Sequence, residues 1–364
     1  MENRLTIDEE SADSKRRSFG GLGRFGIWLV AGGLLLVGIW GLMVRSHAGP
    51  QVVVYTALDQ DFSEPVFEEF TRQTGIAVLA KFDTESTKTV GLTQAIFAER
   101  DRPRCDVFWN NEIVNTLRLD QAGLLGQYQI LAESPFPEQY RSSRGAWFGF
   151  AARARVLIVN TELVPEEDIP KSIADLTDPK WQGKVGIAKP LAGTTASHAA
   201  CLFAVWGDER AEEFFLAIKN NVRVMAGNKQ VAISVAAGEL AFGLTDTDDA
   251  IIEREQGRPV TIVYPDQGEE GLGTLFIPNT VAIIKDAPHR KEAEKLVDYL
   301  LSAPVEEMLA AGPSAQIPLN KTIDKRLRVE SPQTIRAMQV DFEEAAARWD
   351  HVAAFLREKF ASED

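Results

Sequence analysis

The sequence predicts an α/β fold in which two lobes are built on parallel sheets. Three observations lead there. Apolar runs rich in β-branched residues alternate with capped, amphipathic segments, the pattern of repeated βα units. The chain has 364 residues, more than the roughly 250 at which one core stops growing. It is 45% hydrophobic and 25% charged, the balance of a globular protein and not of a disordered or collagenous one. The formal net charge of -14 argues against nucleic acid as partner. It leaves room for a small anion, because a local site can oppose the global charge. Two cysteines and four histidines exclude a disulfide-dense scaffold. Cys105 and Cys201 are expected as separate buried thiols.

Residues 25–44, FGIWLVAGGLLLVGIWGLMV, carry no charge. As a helix they cover about 30 Å, the thickness of a bilayer core. Lys15, Arg16, Arg17 and Arg24 precede the run and Arg45 closes it. The positive-inside rule then puts a tail, residues 1–24, in the cytoplasm and residues 50–364 across the membrane. Trp28 and Trp40 stand near the two ends, as in an aromatic belt. A cleaved signal peptide is the rival reading, since Ser46-His47-Ala48 offers a small-x-small site. The run exceeds the usual apolar core of a signal peptide, which favours an inner-membrane anchor. Under either reading the body lies in the periplasm or outside the cell.

Along the body, residues 51–57 read as a buried strand. A helix follows with Ser63 as its cap, Pro65 in its first turn, Val66, Phe67 and Phe70 on one face, and Gly75 as its stop. Residues 76–82 form the next strand, 84–98 a helix, and 106–109 a short strand leading into Asn110-Asn111-Glu112. A long apolar strand, 156–160, enters the second half. Helices are expected at 195–206, 211–219 and 231–237. Strand 240–245 runs into Asp246-Thr247-Asp248-Asp249. A strand at 282–284 and helices at 290–301 and 305–311 follow, and the last forty residues read as surface helices. In such folds ligands gather beyond the carboxyl ends of strands. That rule selects residues 56–61, 110–112, 193–195 and 246–249.

The acidic run Asp246, Asp248 and Asp249 is the sharpest feature. Asp59 and Asp61 follow the first strand, and Glu112 follows the third. Carboxylates gathered at one cleft repel unless a cation or proton sits among them, and oxygen ligands suit hard cations. The competing role for each is capping of the next helix. Gly193, Thr194 and Thr195 open a helix whose free N–H groups can hold an anion. Arg153 and Arg155 can add positive charge, and Asn228 either caps a helix or reaches a ligand. Tyr55 and Trp109 are assigned to core packing. Ser197 and His198 are neighbours on a helix and do not face each other, so no nucleophile–base pair is read. His198 is placed on a helix surface or interface. No catalytic motif is present, and the chain is not expected to be an enzyme.

At this point the strings VVVYTALDQDF, CDVFWNNE, RARVLIVN, KPLAGTTASH, GNKQVAISVAAGELAFGLTD, TLFIPNTVAIIKDAPH and SAQIPLN take on a common meaning. In order and spacing the sequence resembles the periplasmic solute-binding proteins of ABC transporters, in particular the ferric-iron-binding group. The resemblance implies a two-lobed periplasmic-binding-protein-like fold of type II, here with an N-terminal transmembrane helix. Lobe 1 would hold residues 51–155 and 272–320, and lobe 2 residues 156–271 and 321–364. It implies iron ligands at Asp59 after the first strand, at Asn111 or Glu112 after the third, and at Asp248 and Asp249, where the family usually has two adjacent tyrosines. A synergistic anion would sit on Gly193, Thr194 and Thr195, helped by Asn228 and Arg153. With aspartates in place of tyrosines the site keeps oxygen ligands and gains negative charge. Some relatives bind sugar phosphates or other organic solutes.

The resulting expectation is a monomeric, membrane-tethered receptor of an ABC importer that closes on a metal ion, iron foremost. Its metal ligands are Asp248, Asp249, Asp59 and Glu112, and its wider ligand-binding set includes Asn111, Arg153, Gly193, Thr194, Thr195, Asn228 and Asp246. The alternative is an organic solute such as a polyamine or a sugar phosphate. The partners are the ligand and a membrane permease.

Overall fold

A computed structural model describes residues 49–83, 89–129, 135–324 and 326–360. The expected tail at 1–24 and apolar run at 25–44 lie outside the described residues. Among the described residues no helix is long and apolar enough to cross a membrane.

Among the described residues, ten strands are arranged in the order β2-β1-β3-β10-β5-β8-β6-β7, with β4 on β10 and β9 on β5. The first region holds β1 (Gln51–Thr56), β2 (Ala77–Phe82), β3 (Val107–Asn110) and the two-residue β4 (Leu125–Gly126). The second holds β6 (Val185–Ala188), β7 (Arg223–Met225), β8 (Phe242–Asp246) and β9 (Val260–Val263). Within each region the βα units give parallel pairs, β1 with β2 and β3, and β6 with β7 and β8. The expectation of parallel sheets fails at β5 (Phe148–Asn160) and β10 (Phe276–Ile284), which pair antiparallel. These two are the long strands that join the regions, so no helical crossover fixes their direction. All thirteen residues of β5 are buried, and at about 3.3 Å per residue the strand is long enough to serve both regions. Its first part pairs with β10, and from Arg155 onward it pairs with β8.

β5 is irregular within the part that pairs with β10. Ala151 sits at φ +44 and Ala315, on the segment beside it, at φ +46. The β10 register shifts between Ile277 and Asn279 at the same level. Buried Glu306 braces this point, accepting from the Ala151 (2.6 Å), Leu319 (2.9 Å) and Asn320 (2.8 Å) amides.

Helix α1 (Gln60–Thr74) starts three residues before the expected cap. Ser63 lies inside it and donates its hydroxyl to the Asp59 carbonyl at 3.1 Å. Gly75 ends it in the left-handed conformation. α2 (Val90–Ala98) begins later than expected, after Thr89 at φ +71; residues 84–88 lie outside the described residues. α3 (Val114–Gln121), α4 (Gly193–Trp206), α5 (Asp208–Asn221), α6 (Asn228–Ala236), α7 (Thr247–Glu255), α8 (Arg290–Leu300) and α9 (Ala303–Ala311) complete the βα pattern. Gly243 lets α6 sit tightly on β8, because a Cβ there would collide with Val231. Cys105 and Cys201 are free and buried.

The terminal helices α10 (Phe342–Ala347) and α11 (Trp349–Phe360) were expected on the surface of the second lobe. They reach both regions. Arg118 of α3 stacks on Trp349 (5.1 Å) and lies 3.6 Å from Asp350. Phe355 packs on Phe203 of α4, with centroids 5.7 Å apart.

Candidate functional site

The carboxyl ends of β1, β3, β6, β7 and β8 surround one cavity of about 220 Å³. Three helices of the second region, α4, α6 and α7, begin at its wall. Each follows directly from a strand, so their free N–H groups face the same space. The first region supplies Leu58, Asp59, Phe62 and Asn111.

Arg153 and Arg155 stand two apart on β5, and the strand period puts both on one face. Arg155 is fully buried. Its Nη1 donates to Asp246 Oδ1 (2.7 Å), Thr194 Oγ1 (3.2 Å) and Asn228 Oδ1 (3.2 Å), and its Nη2 to Thr195 Oγ1 (3.3 Å). The other Asp246 oxygen accepts from the Thr194 hydroxyl (2.5 Å) and the Asn228 amide (2.9 Å). Asp246 is therefore spent on tying the starts of α4 and α6 to β5. It makes no side-chain cap on α7. Gly193, at φ +60, makes the tight turn into α4 that brings Thr194 and Thr195 into this network.

Arg153 is differently placed. Its Nη1 lies 3.1 Å from Asp248 Oδ2 and 3.9 Å from Asp246 Oδ2. Its Nε and Nη2 are buried without a partner. Burial opposes the Arg153 charge, but the carboxylates of Asp248, Asp246, Asp59 and Asp249 more than offset it and hold the guanidinium above its ordinary value. Asp59 comes from the first region and makes no capping bond to α1. Asp248 and Asp249 lie in the first turn of α7, where the helix dipole favours negative charge. One oxygen each from Asp246, Asp248 and Asp249 fall within 4.8 Å of one another, a spacing that can hold a cation. Across the cavity, the Asn111 Oδ1 is buried and has no hydrogen-bond partner.

The structure brings Asp59, Asn111, Arg153, Gly193, Thr194, Thr195, Asn228, Asp246, Asp248 and Asp249 to this lining. It does not bring Glu112. That carboxylate accepts from the Val114 (2.6 Å) and Asn115 (3.0 Å) amides, from Asn110 (2.7 Å) and from the Ser197 hydroxyl (2.6 Å). It caps α3 and anchors α4, and the cavity lining does not include it. Asn228 is the first residue of α6, with Gly227 as its cap, and serves the Arg155 network. His198 is buried and not on a helix surface. Burial, helped by the Arg155 charge, holds its imidazole well below its usual value.

Sequence reasoning missed Lys189, just after β6, and Lys229, in the first turn of the helix that follows β7, which both line the cavity. The strand-end rule would have found both had those short strands been recognised. None of the five tyrosines lines the cavity. Tyr55 and Trp109 are core residues, Trp109 lying between Phe67 and Phe150 with both centroids 5.5 Å away.

Residues 117–344 match the bacterial extracellular solute-binding protein family. Iron uptake protein A1 of a Synechocystis strain is 29% identical over 292 residues, 75% of this chain and 78% of that protein. The major ferric iron-binding protein of Neisseria meningitidis serogroup A is 26% identical over 306 residues, 82% of this chain and 90% of that protein. Iron-bound HitA from Pseudomonas aeruginosa superposes with a TM-score of 0.76 at 23% identity, over 85% of this chain and 99% of that one. AfuA from Actinobacillus pleuropneumoniae, with fructose-6-phosphate bound, gives 0.76 at 22% identity, over 87% and 100%. The fold they share with this chain is the two-lobed, mixed α/β arrangement.

Proposed function

The chain belongs to the bacterial extracellular solute-binding protein family, and from that premise we propose that it captures iron between two lobes outside the cytoplasm and delivers it to an ABC importer. One observation carries the reading. Asp59, Asp248 and Asp249 line a single cavity from two sheet regions, together with Asn111, whose buried Oδ1 has no hydrogen-bond partner. The relatives named for iron uptake and ferric iron binding support it. In this reading Asp248 and Asp249 are the principal ligands, Asp59 and Asn111 complete the shell, and Asp246 braces it. The α4 start, with Thr194 and Thr195, takes the accompanying anion. The lobes are residues 51–155 with 272–320, and 156–271 with the C-terminal helices. Residues 25–44 tether the receptor to the inner membrane, its body in the periplasm.

Isothermal titration of residues 50–364 with ferric citrate tests the reading. Wild type is expected to bind, and Asp248→Ala/Asp249→Ala to lose at least 100-fold in affinity (about 2.7 kcal/mol). No binding by wild type, or equal binding by the double variant, would overturn it.

A second reading has its own support. Lys189, Lys229 and the unused Arg153 donors suit a phosphorylated organic solute, and none of the five tyrosines is present for iron. Native mass spectrometry of the protein isolated from its own cells decides between them, by the mass of what it carries.

A further inference from the structure

We infer that Arg118 is a positioning residue for guest capture: it is the catch by which a strap made of α10 and α11, seated on the second region, holds the first region close. The inference rests on the reading of the chain as a two-lobed capture protein and adds what limits how far the lobes part.

The strap's two attachments differ in kind. On the second region it is an apolar seam. Phe355 and His351 pack on Phe203, with centroids 5.7 Å and 6.0 Å away, and Phe360 packs on Phe215 at 6.3 Å. Val352 and Leu356 of α11 are fully buried, and Arg348 Nη1 lies 2.9 Å from Asp208. Ring pairs add to the area they bury, so this side holds firmly. On the first region, Phe342 roots the strap against Tyr140 at 6.2 Å, and beyond that point the contacts are polar. Gln121 donates to the Glu343 carbonyl at 3.3 Å. The Arg118 guanidinium lies over the Trp349 ring at 5.1 Å and over Phe97 of α2 at 5.8 Å, steadied by the Asn115 oxygen at 2.7 Å. Asp350, 3.6 Å from it, is 96% exposed at its side chain, so that ion pair adds little. Burial draws the Arg118 charge below its ordinary value, and the Asp350 and Glu112 carboxylates only partly counter this.

The packing beside Arg118 is also incomplete. A cavity of about 310 Å³ lies where the strap meets both regions, with Val90 and Gln94 from the first, Pro190 and Leu191 from the second, and Trp349 and Leu356 from the strap in its walls. Side chains that face a void forfeit contacts on that side, so this junction parts more cheaply than the aromatic seam. Leu191 also lines the guest cavity. The two cavities therefore share a wall, and parting at Arg118 loosens the enclosure of the guest. With the catch engaged, the lobes stay together and the guest leaves slowly. With it released, the strap travels with the second region and the lobes swing apart by hinge motion.

The test measures the spacing of the lobes without any guest. Spin labels are placed through Glu68→Cys on α1 and Lys219→Cys on α5, both exposed positions, and the distance between them is read by double electron–electron resonance. Cys105 and Cys201 are buried and stay in place. Loss of one cation–π contact should raise the share of molecules at the longer distance about 5-fold in Arg118→Ala. Trp349→Leu keeps an apolar side chain and removes the ring face, and the same rise is expected from it. Arg118→Lys keeps a cation over the ring and is expected to shift the share less than about 2-fold. In a second arm, protein loaded with ferric citrate is mixed with excess chelator, and iron release should quicken by about the same 5-fold factor in Arg118→Ala. Unchanged distances in both Arg118→Ala and Trp349→Leu, an equal effect of Arg118→Lys, or iron release that does not follow the distances overturns the proposal and leaves the iron reading intact. If wild type takes up no iron, the iron reading falls, and the guest-free distances still decide for or against the catch.

Discussion

Arg155 Nη1 lies 2.7 Å from Asp246 Oδ1, and both side chains are almost fully buried. The pair ties β5 to the strand that ends beside it. Through Thr194 and Asn228 it also fixes where α4 and α6 begin. A buried pair of this kind is weak evidence for net stability, but breaking it is costly, because one charge is left without its partner.

Arg155→Met is therefore expected to destabilise the protein by about 3 kcal/mol, read from urea unfolding. The loss should be shared by Asp246→Leu. The double variant should recover part of it, since it leaves no buried charge unpaired. Strict additivity of the two single losses would show that the pair is not coupled.

Glu112 separates capping from ligation. Glu112→Gln keeps an acceptor for the Val114 and Asn115 amides but removes the charge. The expected outcome is a stability loss of about 1 kcal/mol with guest affinity changed less than 3-fold in titration. A 100-fold loss of affinity would return Glu112 to the ligand set.

His198 gives the stability a pH dependence of known sign. Its imidazole is held well below the ordinary value of 6.5, so below that pH the unfolded chain takes up a proton that the native state refuses. Stability present above pH 6.5 should fall as the pH drops, with a limiting slope of about 1.4 kcal/mol per pH unit for one proton. Chemical denaturation of wild type and His198→Leu between pH 7.5 and 5 should show a steeper fall in wild type by about that slope. Parallel curves would contradict it.

Colour offers a direct check on the metal shell. Phenolate ligation of Fe³⁺ gives a strong visible charge-transfer band, and none of the five tyrosines lines the cavity. Iron loading, followed by absorbance, is expected to leave the visible region without such a band. Its appearance would mean that a tyrosine enters the site.

Asp248 and Asp249 were legible because three acids crowd the end of an apolar strand, more than one helix cap needs. Gly193, Thr194 and Thr195 were legible because a glycine and two hydroxyls open a helix. Glu112 misled, although its two- and three-residue spacing to Val114 and Asn115 is itself a capping signal. Its bond to Ser197 lies 85 residues away in sequence and left no local trace. The full length of β5 was hidden by its two arginines, which look like surface residues until Asp246, 91 positions from Arg155, is brought beside them. Local pattern shows which strands end at a site. It does not show which charges are already neutralised there.

The last helices carry a practical lesson for anyone trimming this chain. Trp349 lies against Arg118, Phe355 against Phe203 and Phe360 against Phe215, with centroids 6.3 Å apart in the last pair. The far end of the polypeptide is thus a buttress leaning on both walls, not a dispensable appendage. Cutting it off at residue 341 would bare a row of aromatic rings and yield a product that clumps.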